Sequence, residues 1–179
     1  MRAPAPRARR GTVRKGSQRA RIELAVQYAV PRAGLPARAS IATWIGAALE
    51  RSARVTVRFV GAAEGRRLNR EYRGRDYAAN VLTFVYSPAR GALEGDIVLC
   101  APVVAREARA QGKTPRAHYA HLAVHGALHL QGLDHERARD AARMEARERR
   151  ILARLGFADP YADDKRSKAG RGRKARAGR

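Results

Sequence analysis

Three histidines in the run HGALHLQGLDH, namely His125, His129 and His135, have the types and spacing of a metal tripod. His125 and His129 are four residues apart, which on a helix stacks both imidazoles on one face about one turn apart. Gly132 follows three residues later, where a left-handed glycine can end the helix and turn the chain. His135 can then return to the same point in space. Three protein ligands leave a fourth position open for water, and this separates catalytic zinc sites from closed structural ones. The expectation is therefore one zinc per chain on His125, His129 and His135. Asp134 can bond the back of a ligating ring or brace the turn. His121, four residues before His125, makes a competing set of His121, His125 and His129 conceivable. That set is disfavoured, because three consecutive i, i+4 ligands fan around the helix cylinder. His121 is expected to sit behind the ligands, and His118 to be a helix-face residue.

The spacing H-x-x-x-H-x-x-G-x-x-H is also that of the metzincin peptidases. Those enzymes place a glutamate directly after the first histidine as general base. Here that position is Gly126, which cannot move a proton. The cradle is thus expected without the peptidase base.

The same run resembles the signature H-G-x-L-H-L-x-G-Y-D-H of the bacterial YbeY family, metal-dependent endoribonucleases of ribosomal RNA maturation. Two further stretches agree. Leu68 to Phe84, LNREYRGRDYAANVLTF, is similar to the family segment containing Asn-x-x-Tyr-Arg-Gly-Lys-Asp and Asn-Val-Leu-Ser-Phe, and Gly95 to Leu99, GDIVL, to its Gly-Asp-Ile strand. The resemblance runs from Ile22 to Phe157. Leu133, Ala79 and Thr83 depart from the usual Tyr, Thr and Ser, and none of the three is a ligand. The resemblance implies a small sheet with the metal helix behind it. It also implies cleavage of single-stranded RNA in 16S rRNA 3′-end maturation and ribosome quality control, with ribosomal RNA or a ribosomal particle as partner. Arg73 matches a family arginine with a proposed role in substrate binding or catalysis. Arg75 lies in the same loop and suits phosphate clamping. Asn80 matches the same segment and either ties the loop to the rim of the metal site or bonds its own turn. No residue stands out as general base, and water and a ribose 2′-OH both remain open as nucleophile. The rival from another class is a ribosome-assembly factor whose metal only stabilises the fold.

With 179 residues, the chain suits one domain with a real core. Its formal charge of +22 is unevenly spread. Residues 1–21 and 165–179 each hold eight Arg or Lys and no acid, in an Ala-, Gly- and Pro-rich background that cannot bury enough apolar surface to fold. Residues 1–21 and 161–179 are therefore expected to be disordered basic tails that grip RNA without reading its sequence, flanking a domain over 22–160. The N-terminus lacks the apolar core of a secretory signal, and no apolar run is long enough to span a bilayer, so a cytoplasmic protein is expected. The one cysteine, Cys100, reads as a buried strand-end thiol.

Periodicity supplies the elements that must hold these residues. Residues 22–30, 54–60, 81–86 and 95–100 read as strands. Helices are expected from Ile41 to Arg51 with Ser40 as cap, from Ala62 to Glu71, from Pro102 to Ala110, from the Thr114–Pro115 cap pair to near Gly132, and from Glu136 to Leu155. Trp44 should anchor the core. Val60, Leu68 and Tyr72 should reach it, and Met144, Ile151 and Leu152 should form the buried stripe of the last helix. Asp96 is expected to bond loop backbone rather than to act as a catalytic carboxylate. The pattern β-α-β-α-β-β-α-α-α predicts a single α+β domain with a mixed sheet of about four strands.

Overall fold

Strict alternation of Val55, Val57 and Phe59 with Arg54 and Arg58 gives one strand a buried face and a wet face. In the computed structural model, which describes residues 21–87, 91–133 and 137–162, that strand is β2 (Ala53–Val60). It is interior to a four-stranded sheet of order β1-β2-β4-β3. β1 (Ile22–Tyr28) and β4 (Leu93–Cys100) run parallel to it on either side, and β3 (Val81–Ser87) closes the far edge antiparallel to β4. The parallel β1/β2 pair needs a crossover, supplied by α1 (Arg38–Ala48). α2 (Ala62–Arg73) joins β2 to β3, and α3 (Ala101–Ala110), α4 (Pro115–Leu130) and α5 (Ala138–Arg154) follow β4. The element order and the mixed sheet are those expected from periodicity.

The main core lies on one face of the sheet. Ile41, Trp44 and Ile45 of α1 and Leu122, Val124 and Leu128 of α4 pack there on Val55, Val57, Phe59, Ile97 and Leu99. Full burial of each such side chain contributes about 1.5–3 kcal/mol. α4 is apolar nearly all round and is clasped between the sheet, α1 and α5. Two glycines let it lie close. A Cβ on Gly126 would come within 2.9 Å of Ile97 Cγ2, and one on Gly95 would overlap the Phe84 carbonyl oxygen and stand 2.5 Å from Leu130 Cδ2. The depth of α4 on β4 is thereby fixed, and with it the position of the histidines. α2 covers part of the opposite face over Val60, Leu82, Val98 and Cys100. Cys100 is buried at the strand end, as expected.

Four expectations need correction. Ser40 does not cap α1. The helix begins at Arg38, after an extended Ala37, and Ser40 lies in its first turn. Proline restricts the residue before it, not those after, so the helix starts as soon as Pro36 is passed. It also stops at Ala48 rather than Arg51, where Leu49 turns extended. Tyr72 does not reach the core. It is 58% exposed and packs edge-on against Phe84 at the rim of the smaller cluster, with ring centroids 5.0 Å apart. Among the described residues, Asp96 bonds no loop backbone. It lies inside β4, paired with Thr56 and Phe84 on its two sides, and accepts from the Tyr86 hydroxyl at 2.8 Å.

Candidate metal centre

α4 starts as its sequence requires. Thr114 Oγ1 accepts from the Ala117 amide at 3.2 Å, and Pro115 fills the first turn. Four histidines then run down one side of the helix. Ring centroids are 6.3 Å apart for His118 and His121, 6.2 Å for His121 and His125, and 4.6 Å for His125 and His129. The lower pair converges, with the two Nε2 atoms 3.1 Å apart. The helix ends as predicted on Gly132 at φ 81°. Its amide reaches the His129 carbonyl at 2.9 Å and the Leu133 amide the Leu128 carbonyl at 3.2 Å, the double bond of a Schellman turn. Asp134 and His135 lie outside the described residues.

Behind His125 stands Glu148, a residue that the sequence reading missed. It sits on α5 in the stripe of Met144, Ile151 and Leu152 and is fully buried. Its Oε1 lies 2.7 Å from His125 Nδ1. Its Oε2 is 3.4 Å from His121 Nε2 and accepts from the Tyr161 hydroxyl. That hydroxyl is also 3.2 Å from His121 Nε2. Burial pushes the Glu148 carboxyl up, but the bonds from His121, His125 and Tyr161 outweigh it and bring its pKa down to about 2. Tyr161, raised well above the usual phenol by burial and by the adjacent carboxylate, stays a neutral donor.

An ionised Glu148 only accepts, so His125 Nδ1 carries a proton, and in the neutral ring Nε2 then carries the lone pair, on the side of His129. Two ligands at about 2.0–2.1 Å from a tetrahedral zinc lie roughly 3.3 Å apart. The 3.1 Å between the Nε2 atoms is close to that separation. A second grouping shares His125. The ligand atoms of His121, His125 and Glu148 lie within 4.8 Å of one another and could hold a metal ion.

The remaining expected residues fall on two sides. Arg73, the last residue of α2, donates from Nη2 to the Thr83 carbonyl at 3.2 Å and is otherwise exposed at the β3 edge. Arg75 is exposed in the loop that follows. Asn80 makes two hydrogen bonds. Its Oδ1 accepts from the Val81 amide at 2.7 Å, and its Nδ2 donates to Glu107 Oε2 at 2.8 Å. The same Oε2 lies 2.9 Å from His118 Nε2, so Asn80 is tied through Glu107 to the helix that carries the histidines.

A model of the family described as Endoribonuclease YbeY matches residues 37–156. The chain belongs to the YbeY family. A YbeY endoribonuclease of Stenotrophomonas maltophilia is 54% identical over 155 residues, covering 81% of this chain and 96% of that one. One of Aromatoleum aromaticum is 59% identical over 145 residues, covering 79% and 94%. The solution structure of a Thermotoga maritima protein aligns with 76% of this chain and 97% of its own at 21% identity and a TM-score of 0.48.

Membership in the YbeY family accords with the missing peptidase base. Gly126 faces Ile97 across a gap too small for a Cβ, so a glutamate there would have to displace the helix from the sheet. We expect Gly126→Glu to be destabilised by at least the ~1–3 kcal/mol of overpacking, and to gain no peptide hydrolysis. Urea unfolding and a casein assay would check this, and a stable variant with peptidase activity would refute it.

His118 gives a pH prediction. Burial, partly offset by the bond to Glu107, holds its imidazole below the ordinary 6.5. Its folded pKa is depressed, so the unfolded chain takes up the proton first as the pH drops. The stability that the neutral ring supplies is present above about 6.5 and declines below it. Between pH 7.5 and 5.5 the urea midpoint of the wild type should fall further than that of His118→Asn, and equal falls would contradict the assignment.

One of the supporting residues had a sequence signal. Glu148 interrupts an otherwise apolar i, i+3, i+4 stripe, and a lone acid there is paired more often than wasted. Tyr161 lies just past the expected boundary at residue 160; its ring stacks under Arg149 at 4.9 Å and its hydroxyl reaches Glu148.

Proposed function

We propose that the chain is a zinc-dependent endoribonuclease specific for single-stranded RNA. Its proposed substrate is ribosomal RNA, naked or in a ribosomal particle, and its proposed roles are 16S rRNA 3′-end maturation and ribosome quality control in the cytoplasm. Zinc is assigned to His125, His129 and His135. The observation that carries this reading is the pairing of two contacts on His125: Nδ1 on the buried Glu148 at 2.7 Å and Nε2 at 3.1 Å from His129 Nε2. A ligating histidine with its far nitrogen on a carboxylate is the usual way to fix its tautomer and raise its basicity.

The alternative set of His121, His125 and Glu148 is less favoured for a physical reason. A separation of 2.7 Å between His125 Nδ1 and Glu148 Oε1 is a hydrogen bond, shorter than the roughly 3.3 Å between two ligands of one zinc. Glu148 is assigned to orient His125, and His121 and Asp134 to sit behind the ligands.

Zinc held by His125, His129 and His135 would supply polarisation of a phosphoryl oxygen and acidification of water. The protein's own groups do the rest. His125 and His129 fix where the phosphodiester must dock. Arg73 presents a guanidinium to the charge that grows on the phosphate in the transition state, exchanging its bond to the Thr83 carbonyl for one to the substrate. Arg75 and Asn80 are assigned to the RNA-facing rim. The basic tails, residues 1–21 and 161–179 in the sequence-based division, would add salt-dependent affinity; residues 1–20 and 163–179 lie outside the described residues.

The direct test is cleavage of a single-stranded RNA and its duplex form before and after chelation. The proposal predicts cutting of the single strand only, loss with chelator and recovery with zinc. Cleavage that survives complete metal removal would contradict it. A folded, RNA-binding His129→Ala protein that still supports 16S maturation in cells would favour the assembly-factor reading.

A further inference from the structure

Beside α4 lies a cavity of about 590 Å³ whose walls include Asn80, Glu107, Lys113, His118, His121 and Tyr161. We infer that it is the binding site for one nucleobase of the RNA strand, and for a base that carries an exocyclic amino group. This rests on the endoribonuclease reading and deepens it.

Size and place come first. The volume falls in the range of about 300–1,000 Å³ typical of small-molecule sites. Two of its walls, His121 and Tyr161, are the residues that also touch Glu148. The His121 ring lies 6.2 Å from that of His125, so a base in the cavity belongs to a nucleotide beside the one being cut.

The lining then selects the ligand. Glu107 puts a carboxylate in the wall, which repels a phosphate and accepts from an amino group. Its Oε2 is engaged by Asn80 and His118, and its Oε1 has no hydrogen-bond partner among the described residues, so the carboxylate is held in place with one oxygen to offer. Lys113 supplies the opposite polarity. Its ammonium is anchored on the Pro160 carbonyl at 2.6 Å and on Gln111 Oε1 at 2.8 Å, with a third proton left to donate. A fixed acceptor and a fixed donor lining one cavity match the mixed edge of a base.

The test uses the full-length chain and a plug. Ala110 lines the cavity at the exposed end of α3 and takes no part in the hydrogen bonds above. Ala110→Phe fills the space, and Ala110→Leu repeats the test with a smaller plug in case the ring disturbs folding. AMP, CMP, GMP and UMP are titrated by calorimetry, and single-stranded RNA cleavage is measured on the same samples. The wild type should bind the three amino-bearing nucleotides about tenfold more tightly than UMP. Both plugs should abolish that preference and raise KM for RNA about tenfold, with kcat and zinc content unchanged. Equal nucleotide binding by the wild type and both plugs would overturn the proposal, whatever cleavage shows. A wild type that fails to cut RNA but binds nucleotides in a plug-sensitive way would leave the cavity standing and sink the nuclease reading.

Discussion

Replacing His125 by alanine should remove metal binding and RNA cleavage together, while leaving the fold in place. His125 is the residue that both candidate ligand sets share. Its Nε2 faces His129 at 3.1 Å, and its Nδ1 lies 2.7 Å from Glu148 Oε1. No rearrangement of its neighbours replaces it, because Gly126 and Ala127 beside it turn into the sheet and the core. Losing the Lewis acid forfeits several kcal/mol of transition-state stabilisation, so cleavage should drop on the order of 10³-fold or more. The helix itself should survive, since alanine is the best helix former and the apolar sides of α4 are untouched. Zinc analysis, circular dichroism and a cleavage assay on one preparation check all three points. Full cleavage by a zinc-free, folded His125→Ala protein would place the active centre elsewhere.

Replacing Glu148 by alanine should weaken zinc binding by about 10–100-fold without removing it, the usual effect of deleting a group that orients a ligating histidine. The same change leaves the His125 and His121 nitrogens and the Tyr161 hydroxyl facing a void, each losing a charged acceptor. Stranding a buried donor costs about 1–3 kcal/mol, so the metal-free protein should also melt several degrees lower. Glu148→Gln keeps the shape and one acceptor oxygen, but turns an amino group toward the other donors, and should fall between wild type and alanine on both measures. Tyr161→Phe removes one donor and should have a smaller effect than either. A competition titration with a chelating dye gives the zinc affinities. Unchanged affinity in Glu148→Ala would dissociate the carboxylate from the centre.

The parts legible in the sequence were those governed by local rules. The alternation in Val55, Val57 and Phe59 located β2, Thr114 and Pro115 located the start of α4, and Gly132 located its end. The i, i+4 spacing placed His125 and His129 on one face, and the Nε2 atoms do converge. What could not be read depended on contacts between distant segments. Glu148 meets His125 across 23 residues of chain, and Tyr161 meets His121 across 40. Neither partnership leaves a spacing to count. Tyr161 was also hidden by composition, because it lies four residues before a run rich in Lys, Arg and Gly. The Ser40 error had a different cause. A favourable capping residue was available, but the helix starts before it, at Arg38, as soon as Pro36 is passed.

The most direct test of the proposed centre is zinc stoichiometry in His129→Ala and Glu148→Gln, measured side by side at saturating zinc. If the ion is held by His125 and His129 with Glu148 behind, Glu148→Gln should still bind one zinc per chain and His129→Ala none. If Glu148→Gln is empty and His129→Ala is full, the ion is held by His121, His125 and Glu148, and the assignment made here is wrong.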